Sequence, residues 1–160
     1  MTKSSQPIIN IKEIDQLGFV VRDIEKSVAS LGNTFGIDAW MYRTFQAAEM
    51  KNMTYHGKPA CFSFKVARTQ HKLGGVEMEL IEPIEGDNIF RDFLRDQGEG
   101  FHHIGWYRVD SAEAFASTTQ ALEKAGFPCL MTAQCPDVAI AYFDTNKVLK
   151  TLLEAIWVIS

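Results

Sequence analysis

Apolar and polar positions alternate through the opening of the chain. Leu17, Phe19 and Val21 interleave with Gln16, Gly18 and Val20, a period of two that predicts a β-strand. The step then lengthens. Ile24, Val28, Leu31 and Phe35 recur at helical spacing, with Asp23 before them as an N-cap and Gly36 after them as a stop. One face of the strand is expected to pack on that helix while the other carries Gln16 into whatever the sheet encloses. Further strands are predicted at 40–45, 61–67 and, after the Gly74-Gly75 turn, 75–83. In the last of these Met78 and Leu80 share one face and Glu77, Glu79 and Ile81 the other, with Pro83 as its end. Residues 46–58 are mostly polar and read as a hairpin loop or a lid. Residues 1–13 read as a frayed arm with a short edge strand at 8–11. A short helix at 87–97, with Ile89, Phe90, Phe93 and Leu94 on its buried face, connects to the second half of the chain.

That second half repeats the plan of the first. Setting Gln16 against His103 pairs Leu17 with Ile104, Gly18 with Gly105, Phe19 with Trp106 and Asp23 with Asp110, and each run then enters a helix. The second copy continues as a strand at 102–109, a helix at 112–125 ended by Gly126, and strands at 128–132, 138–143 and 151–159. Each half is therefore expected to be β-α-β-β-β. A four-stranded sheet cannot bury both faces alone, so the expected fold is α+β: tandem βαβββ modules forming one curved, barrel-like mixed sheet around a central metal cavity. The boundaries are an arm at 1–13, a first module at 14–83, a connector helix at 84–99 and a second module at 100–160, within one structural domain.

Composition narrows the partners. A chain of 160 residues with 46% hydrophobic and 22% charged content is an ordinary globular one, and a net charge of -4 gives no electrostatic reason to expect nucleic acid or an anionic membrane. Cys61, Cys129 and Cys135 are odd in number and lack a CxxC spacing, so neither a disulfide framework nor a zinc knuckle is expected. The polar start from Met1 to Pro7 does not read as a signal peptide, and no apolar run approaches the roughly 18–20 residues that span a bilayer. A reducing cytoplasm is the expected compartment.

The chemistry lies in equivalent places of the two copies: Gln16 and His103 on the first strands, Glu79 and Glu154 on the last. Both carboxylates have apolar neighbours, which is costly unless the group is paired, protonated or bound to metal. One imidazole, two carboxylates and an amide oxygen make a hard, mostly oxygen donor set for a divalent ion. Blander readings exist. A lone strand His is more often a structural residue, and His102, expected to face away from His103, is read as that kind. Glu79, with Glu77 and Glu82 nearby, would also suit a solvated edge. Glu154 is harder to place in water, and the symmetry of the four favours the metal.

Ile14 to Val21 with Asp23-Ile24-Glu25-Lys26-Ser27, then Glu79-Leu80-Ile81-Glu82-Pro83, then Gly98 to Ile104, resemble in that order the motifs of vicinal oxygen chelate (glyoxalase-fold) proteins. The later motifs with the helix between them most resemble the methylmalonyl-CoA epimerase branch and its glyoxalase-like relatives. The resemblance implies a divalent ion (Zn, Ni, Co, Mn or Mg) held by Gln16, Glu79, His103 and Glu154. It also implies a small-molecule substrate whose two oxygens chelate that ion, and a homodimer. The set Gln, Glu, His, Glu matches the eukaryotic-type lactoylglutathione lyases, but their glutathione-binding Arg and Asn fall on Val20 and Pro83. The epimerase branch has His at Gln16, and its second catalytic Glu is expected on the third strand, where this chain has Phe62, Ser63 and Phe64. The implied activity is a metal-dependent isomerase, epimerase or lyase that abstracts a proton alpha to a carbonyl of a small 2-oxo or thioester substrate. Glu154 is the expected base and Glu79 its partner, with Tyr107, Phe62 and Phe64 contacting substrate. The competing reading is a non-catalytic small-molecule binder with an aromatic pocket of Trp40, Phe62, Phe64 and Tyr142. A ring-cleaving iron dioxygenase needs two His and one carboxylate, and Gln16 stands where the first His would be.

Overall fold

The structure, a computed structural model, describes residues 6–160. The chain runs β1 (Gln16–Val20), α1 (Ile24–Phe35), β2 (Trp40–Phe45), a 3-10 turn, β3 (Lys51–Tyr55), β4 (Lys58–Pro59), β5 (Ser63–Thr69) and β6 (Glu77–Glu85). It continues with α2 (Ile89–Asp96), β7 (Gly100–Val109), α3 (Ala112–Lys124), β8 (Cys129–Gln134), β9 (Val138–Phe143), α4 (Asn146–Leu149) and β10 (Leu152–Val158). All ten strands form one curled mixed sheet in the order β2-β5-β6-β1-β7-β10-β9-β8-β3-β4. At its centre β1 and β7 run antiparallel, while β1 pairs in parallel with β6 and β7 in parallel with β10. The sequence repeat thus becomes two matching half-sheets joined along their first strands.

Strand alternation sorts the side chains into two layers. Val20, Phe64, Val66, Ile81, Met131, Tyr142 and Ile156 fill the concave face, and Phe90 of α2 closes over them. The convex face packs under the helices. Ile24 of α1 packs on Val21, Trp40, Ala67 and Leu80, and Leu122 of α3 belongs to a cluster with Trp106, Val109, Phe143 and Leu153. Asp23 caps α1 by accepting from the Lys26 N–H, the Glu82 carboxylate accepts from the Ile24 N–H, and Gly36 ends the helix at φ 69°. The apolar stripe stops short of its predicted end, because Phe35 is 72% exposed. In α2 the Asn88 side chain accepts from both Phe90 and Arg91 N–H groups, which fixes the helix where Phe90 is fully buried. Burying such a side chain contributes about 1.5–3 kcal/mol.

Three sequence expectations change. Of the two readings of 46–58 the hairpin is present and the lid is not: Lys51–Tyr55 forms β3, which turns back through His56-Gly57 onto β4, pairs with β8 and extends the far half of the sheet, with Met50 buried in the core. The segment 14–83 therefore supplies strands to both ends of the curl. The proposed strand at 8–11 is absent; Ile9 instead packs against the cluster beneath α3. Pro83 does not end β6, which runs on to Glu85. A register shift between Ser63 and Phe64 lets Phe64 face Pro83, and a bulge is where a strand tolerates proline. The three cysteines are free thiols, and among the described residues no helix is long and apolar enough to cross a membrane.

Candidate metal centre

Register alone brings the four candidate ligands together. One row across the central strands reads Glu79, Gly18, His103; the next, two residues along, reads Glu77, Gln16, Gly105, Glu154. Each glycine stands between a first-strand donor of the other half and a last-strand carboxylate. The glycine spacing seen in the sequence repeat is thus the room into which those side chains lean. A Cβ on Gly18 would overlap the His103 ring, and one on Gly105 would come within 2.8 Å of Gln16 Cβ and 2.9 Å of its Oε1. Gly18→Ala is accordingly expected to cost about 1–3 kcal/mol, as overpacking does. It should also weaken divalent-ion binding; urea unfolding and metal titration read the two effects separately.

A bulge supplies what alternation could not. The β1–β7 register shifts between Gly18 and Phe19, so His102 is the extra residue of β7. Neighbouring strand residues normally point to opposite faces, yet here both rings turn inward and their Nδ1 atoms lie 3.0 Å apart. The expectation that His102 faces away from His103 is therefore wrong. His102 is buried among Phe90, Phe93 and Tyr142. Its Nδ1 engages the His103 ring nitrogen that points away from Glu79 and Glu154, so His103 Nε2 is left for a ligand.

The centre is buried and under-bonded. Glu79, His103 and Glu154 each offer a ligand atom, all within 4.8 Å of one another. His103 Nε2 lies 3.0 Å from Glu154 Oε2 and 3.7 Å from Glu79 Oε2. Gln16 turns its amide nitrogen outward to Glu77 Oε1 and to the Tyr107 hydroxyl, both at 2.9 Å. Its Oε1 is left facing in. Gln16 Oε1, His103 Nε2 and Glu154 Oε2 are all buried without a hydrogen-bond partner. Such groups are normally satisfied, because each orphan costs about 1–3 kcal/mol.

Burial also sets the protonation. It raises the Glu79 carboxyl well above its ordinary range, with the neighbouring Glu154 pushing the same way. Burial likewise lifts Glu154 to about 8 and lowers His103 to about 3. Without a cation the cluster favours neutral carboxyls beside a neutral imidazole. A divalent ion would reverse that for the carboxylates, and a neutral imidazole is the form that ligates. The residues present fit such an ion: two carboxylates to balance its charge, with unpartnered nitrogen and oxygen atoms facing the same point.

A cavity of about 170 Å³ opens beside this cluster. Gln16, Glu79, Glu154, Tyr107, Phe64 and Tyr142 line it, together with Arg68. Phe62 does not. It is fully buried behind Phe64, with ring centroids 6.3 Å apart, so it supports the wall rather than forming it. Trp40, named for the alternative binding pocket, lies on the convex face and donates from Nε1 to the Ile37 carbonyl. Arg43 of β2 and Asp137 of the β8–β9 turn meet at the mouth in a two-pronged ion pair of 2.7 and 2.8 Å. Sequence reasoning missed Glu77, Arg68 and His102 as members of the site. For the first two the signal was strand register, Glu77 opposite Gln16 and Arg68 opposite Glu79, which one sequence does not display.

The family model described as Glyoxalase/Bleomycin resistance protein/Dioxygenase superfamily matches residues 15–142. No curated protein sequence matches the chain. Among solved structures it is similar to a variant of Streptomyces coelicolor methylmalonyl-CoA epimerase in complex with 2-nitronate-propionyl-CoA. That match has a TM-score of 0.61 at 16% identity and covers 94% of this chain and 100% of that one. It is also similar to methylmalonyl-CoA epimerase from Mycobacterium tuberculosis (TM-score 0.60, 12% identity, 92% and 88% covered). A hypothetical protein from Bacillus halodurans C-125 matches with a TM-score of 0.58 at 19% identity, covering 92% and 95%. At these identities the likeness is one of fold.

Proposed function

Because this chain belongs to the glyoxalase/bleomycin resistance protein/dioxygenase superfamily, we propose that Gln16, Glu79, His103 and Glu154 hold one divalent metal ion. We propose further that the cavity beside them removes a proton alpha to the carbonyl of a small 2-oxo or thioester substrate. The observation that supports this is the convergence of Glu79, His103 and Glu154, with His103 Nε2 and Glu154 Oε2 buried and orphaned and the likewise orphaned Gln16 Oε1 on a residue of the same cavity lining. A bound ion supplies Lewis-acid chemistry, drawing electron density from a carbonyl so that the adjacent carbon becomes acidic.

The chain's own residues do the rest. Glu154 lines the cavity, and with an ion beside it to displace its own proton it is placed to accept one from substrate. Glu79 stands in the same cluster but comes from the other half of the sheet, so it can return the proton from a different side. Return to the opposite face of the same carbon is epimerisation; return to the neighbouring carbon is isomerisation. Phe45, Phe64, Ile140 and Ile156 line the cavity and keep water from the carboxylates. The Tyr107 hydroxyl accepts from Gln16 and donates to Glu77, and so keeps the Gln16 oxygen turned inward. A thioester stays within the class because an epimerase of similar fold is solved in complex with methylmalonyl-CoA.

The test has two steps. Protein purified without chelator is expected to carry about one equivalent of divalent ion, or to take it up from Mn, Co, Ni or Zn salts. In deuterated buffer the loaded protein is expected to exchange alpha protons of small carbonyl compounds, followed by proton NMR. Protein that neither holds nor binds any of these ions contradicts the proposal, and metal uptake with no exchange across the panel turns the reading to a non-catalytic binder.

A further inference from the structure

We infer that Arg68 is a receptor for a carboxylate, so that the substrate is a small free oxo-acid rather than a thioester; this deepens the metal-centred reading of the site and relies on it only for the ligand's oxo group. Phe64, Val66 and Arg68 occupy alternate positions of β5. The first two lie in the concave core, and Arg68 comes next on that face. Its backbone partner on β6 is Glu79, so its guanidinium is rooted beside a proposed ligand and lines the same cavity.

Two positive side chains line that cavity, and they differ in what they are doing. Arg43 is saturated: both of its terminal nitrogens bond the Asp137 carboxylate at the mouth. Arg68 has a loose 3.7 Å ion pair with Glu77 and a weak contact with the Tyr107 hydroxyl, lies within reach of the Glu79 charge, and its side chain is 34% exposed. Glu77 does not need it more closely. Its Oε1 already accepts from Gln16 Nε2 at 2.9 Å and from the Tyr107 hydroxyl at 3.0 Å. A guanidinium fork in that position keeps donors for a planar anion, and its two parallel N–H groups match a carboxylate.

Size and closure favour a free acid. The cavity holds about 170 Å³, whereas sites for drug-sized ligands run to roughly 300–1,000 Å³. The Arg43–Asp137 pair bridges β2 and the β8–β9 turn along the cavity lining, which leaves it little room to widen. A molecule of a few heavy atoms, anionic at the Arg68 end, fits both facts.

Pyruvate and butane-2,3-dione separate the possibilities, because both present adjacent oxygens and only pyruvate carries the charge. Each is titrated by ligand-observed NMR into wild-type protein and into Arg68→Gln, Arg68→Lys and Arg91→Gln variants, after the metal content of every sample has been measured. Wild-type protein is expected to prefer pyruvate by about tenfold or more, as a charge-assisted two-pronged contact would give. Arg68→Gln should erase that preference, Arg68→Lys should keep part of it, and Arg91→Gln, which removes a positive charge outside the cavity lining, should keep it. Equal binding of the two probes, binding of neither, or a preference that survives Arg68→Gln overturns the inference. Protein that takes up no metal yet still selects pyruvate through Arg68 defeats the metal proposal and leaves the carboxylate receptor standing.

Discussion

Glu154→Gln should leave the fold intact and lower alpha-proton exchange by about a hundredfold to ten-thousandfold, the usual loss when a positioned base is removed. The substitution keeps shape and volume, and the residue is only 3% exposed, so packing has little reason to change. The proposed proton acceptor is lost, and one of two charges that would balance a divalent ion goes with it. The assay therefore has to be run at saturating metal, so that weakened uptake is not read as weakened chemistry. Glu79→Gln gives the contrast. If the two carboxylates serve different sides of the substrate carbon, each variant should still wash solvent deuterium into the one enantiomer that its remaining carboxylate faces, and the two variants should differ in which enantiomer that is. Variants that both retain wild-type exchange at saturating metal would remove Glu154 and Glu79 from the mechanism.

The parts of this site that were legible in the sequence share one property: they repeat. Gln16 and Gly18 recur as His103 and Gly105, and Glu79 recurs as Glu154, so the four-residue cluster and the paired half-sheets could be read from periodicity and duplication. What escaped depended on register between distant strands. Arg68 becomes a cavity residue only because β5 pairs with β6 so that it faces Glu79, and Glu77 joins the network only because it faces Gln16. His102 escaped for a different reason. Alternation is a rule about regular strands, and one inserted residue in β7 turns a side chain expected outside into a neighbour of a proposed ligand. The segment 46–58 misled because its polar composition suggests a loop, whereas β3 is an outer strand with one face in solvent and Met53 and Tyr55 packed against the core. Phe62 shows the converse limit. An aromatic residue near a cavity in sequence can be one layer too deep to touch a ligand.

Protonation of the same cluster should make the thermal stability of metal-free protein depend on pH, and metal should abolish that dependence. Glu154 in the folded chain titrates at about 8 against an ordinary 4.5, so between those values the folded state holds a proton that the unfolded state has released. Its stabilising contribution is complete below 4.5 and is lost as pH rises through about 8. Glu79 acts in the same direction. His103 works in the opposite sense. It titrates at about 3 when folded and 6.5 when not, so stability falls as pH drops from 6.5 toward 3. The chelated protein should therefore unfold at lower temperature at pH 8 than at pH 6.5, because over that window the carboxylates lose more than the buried histidines, whose unfolded forms are still half protonated at 6.5, give back. A divalent ion displaces those protons, so its affinity rises with pH over the same window. At a free concentration near a thousandfold above Kd it should contribute about 4 kcal/mol. For a chain of this length that raises the unfolding temperature by about 10 °C. Differential scanning calorimetry with and without metal at the two pH values reads both effects at once. A chelated protein whose unfolding temperature is flat from pH 6.5 to 8 and unmoved by added ion would mean that the buried carboxyls are held by something other than shared protons or a metal.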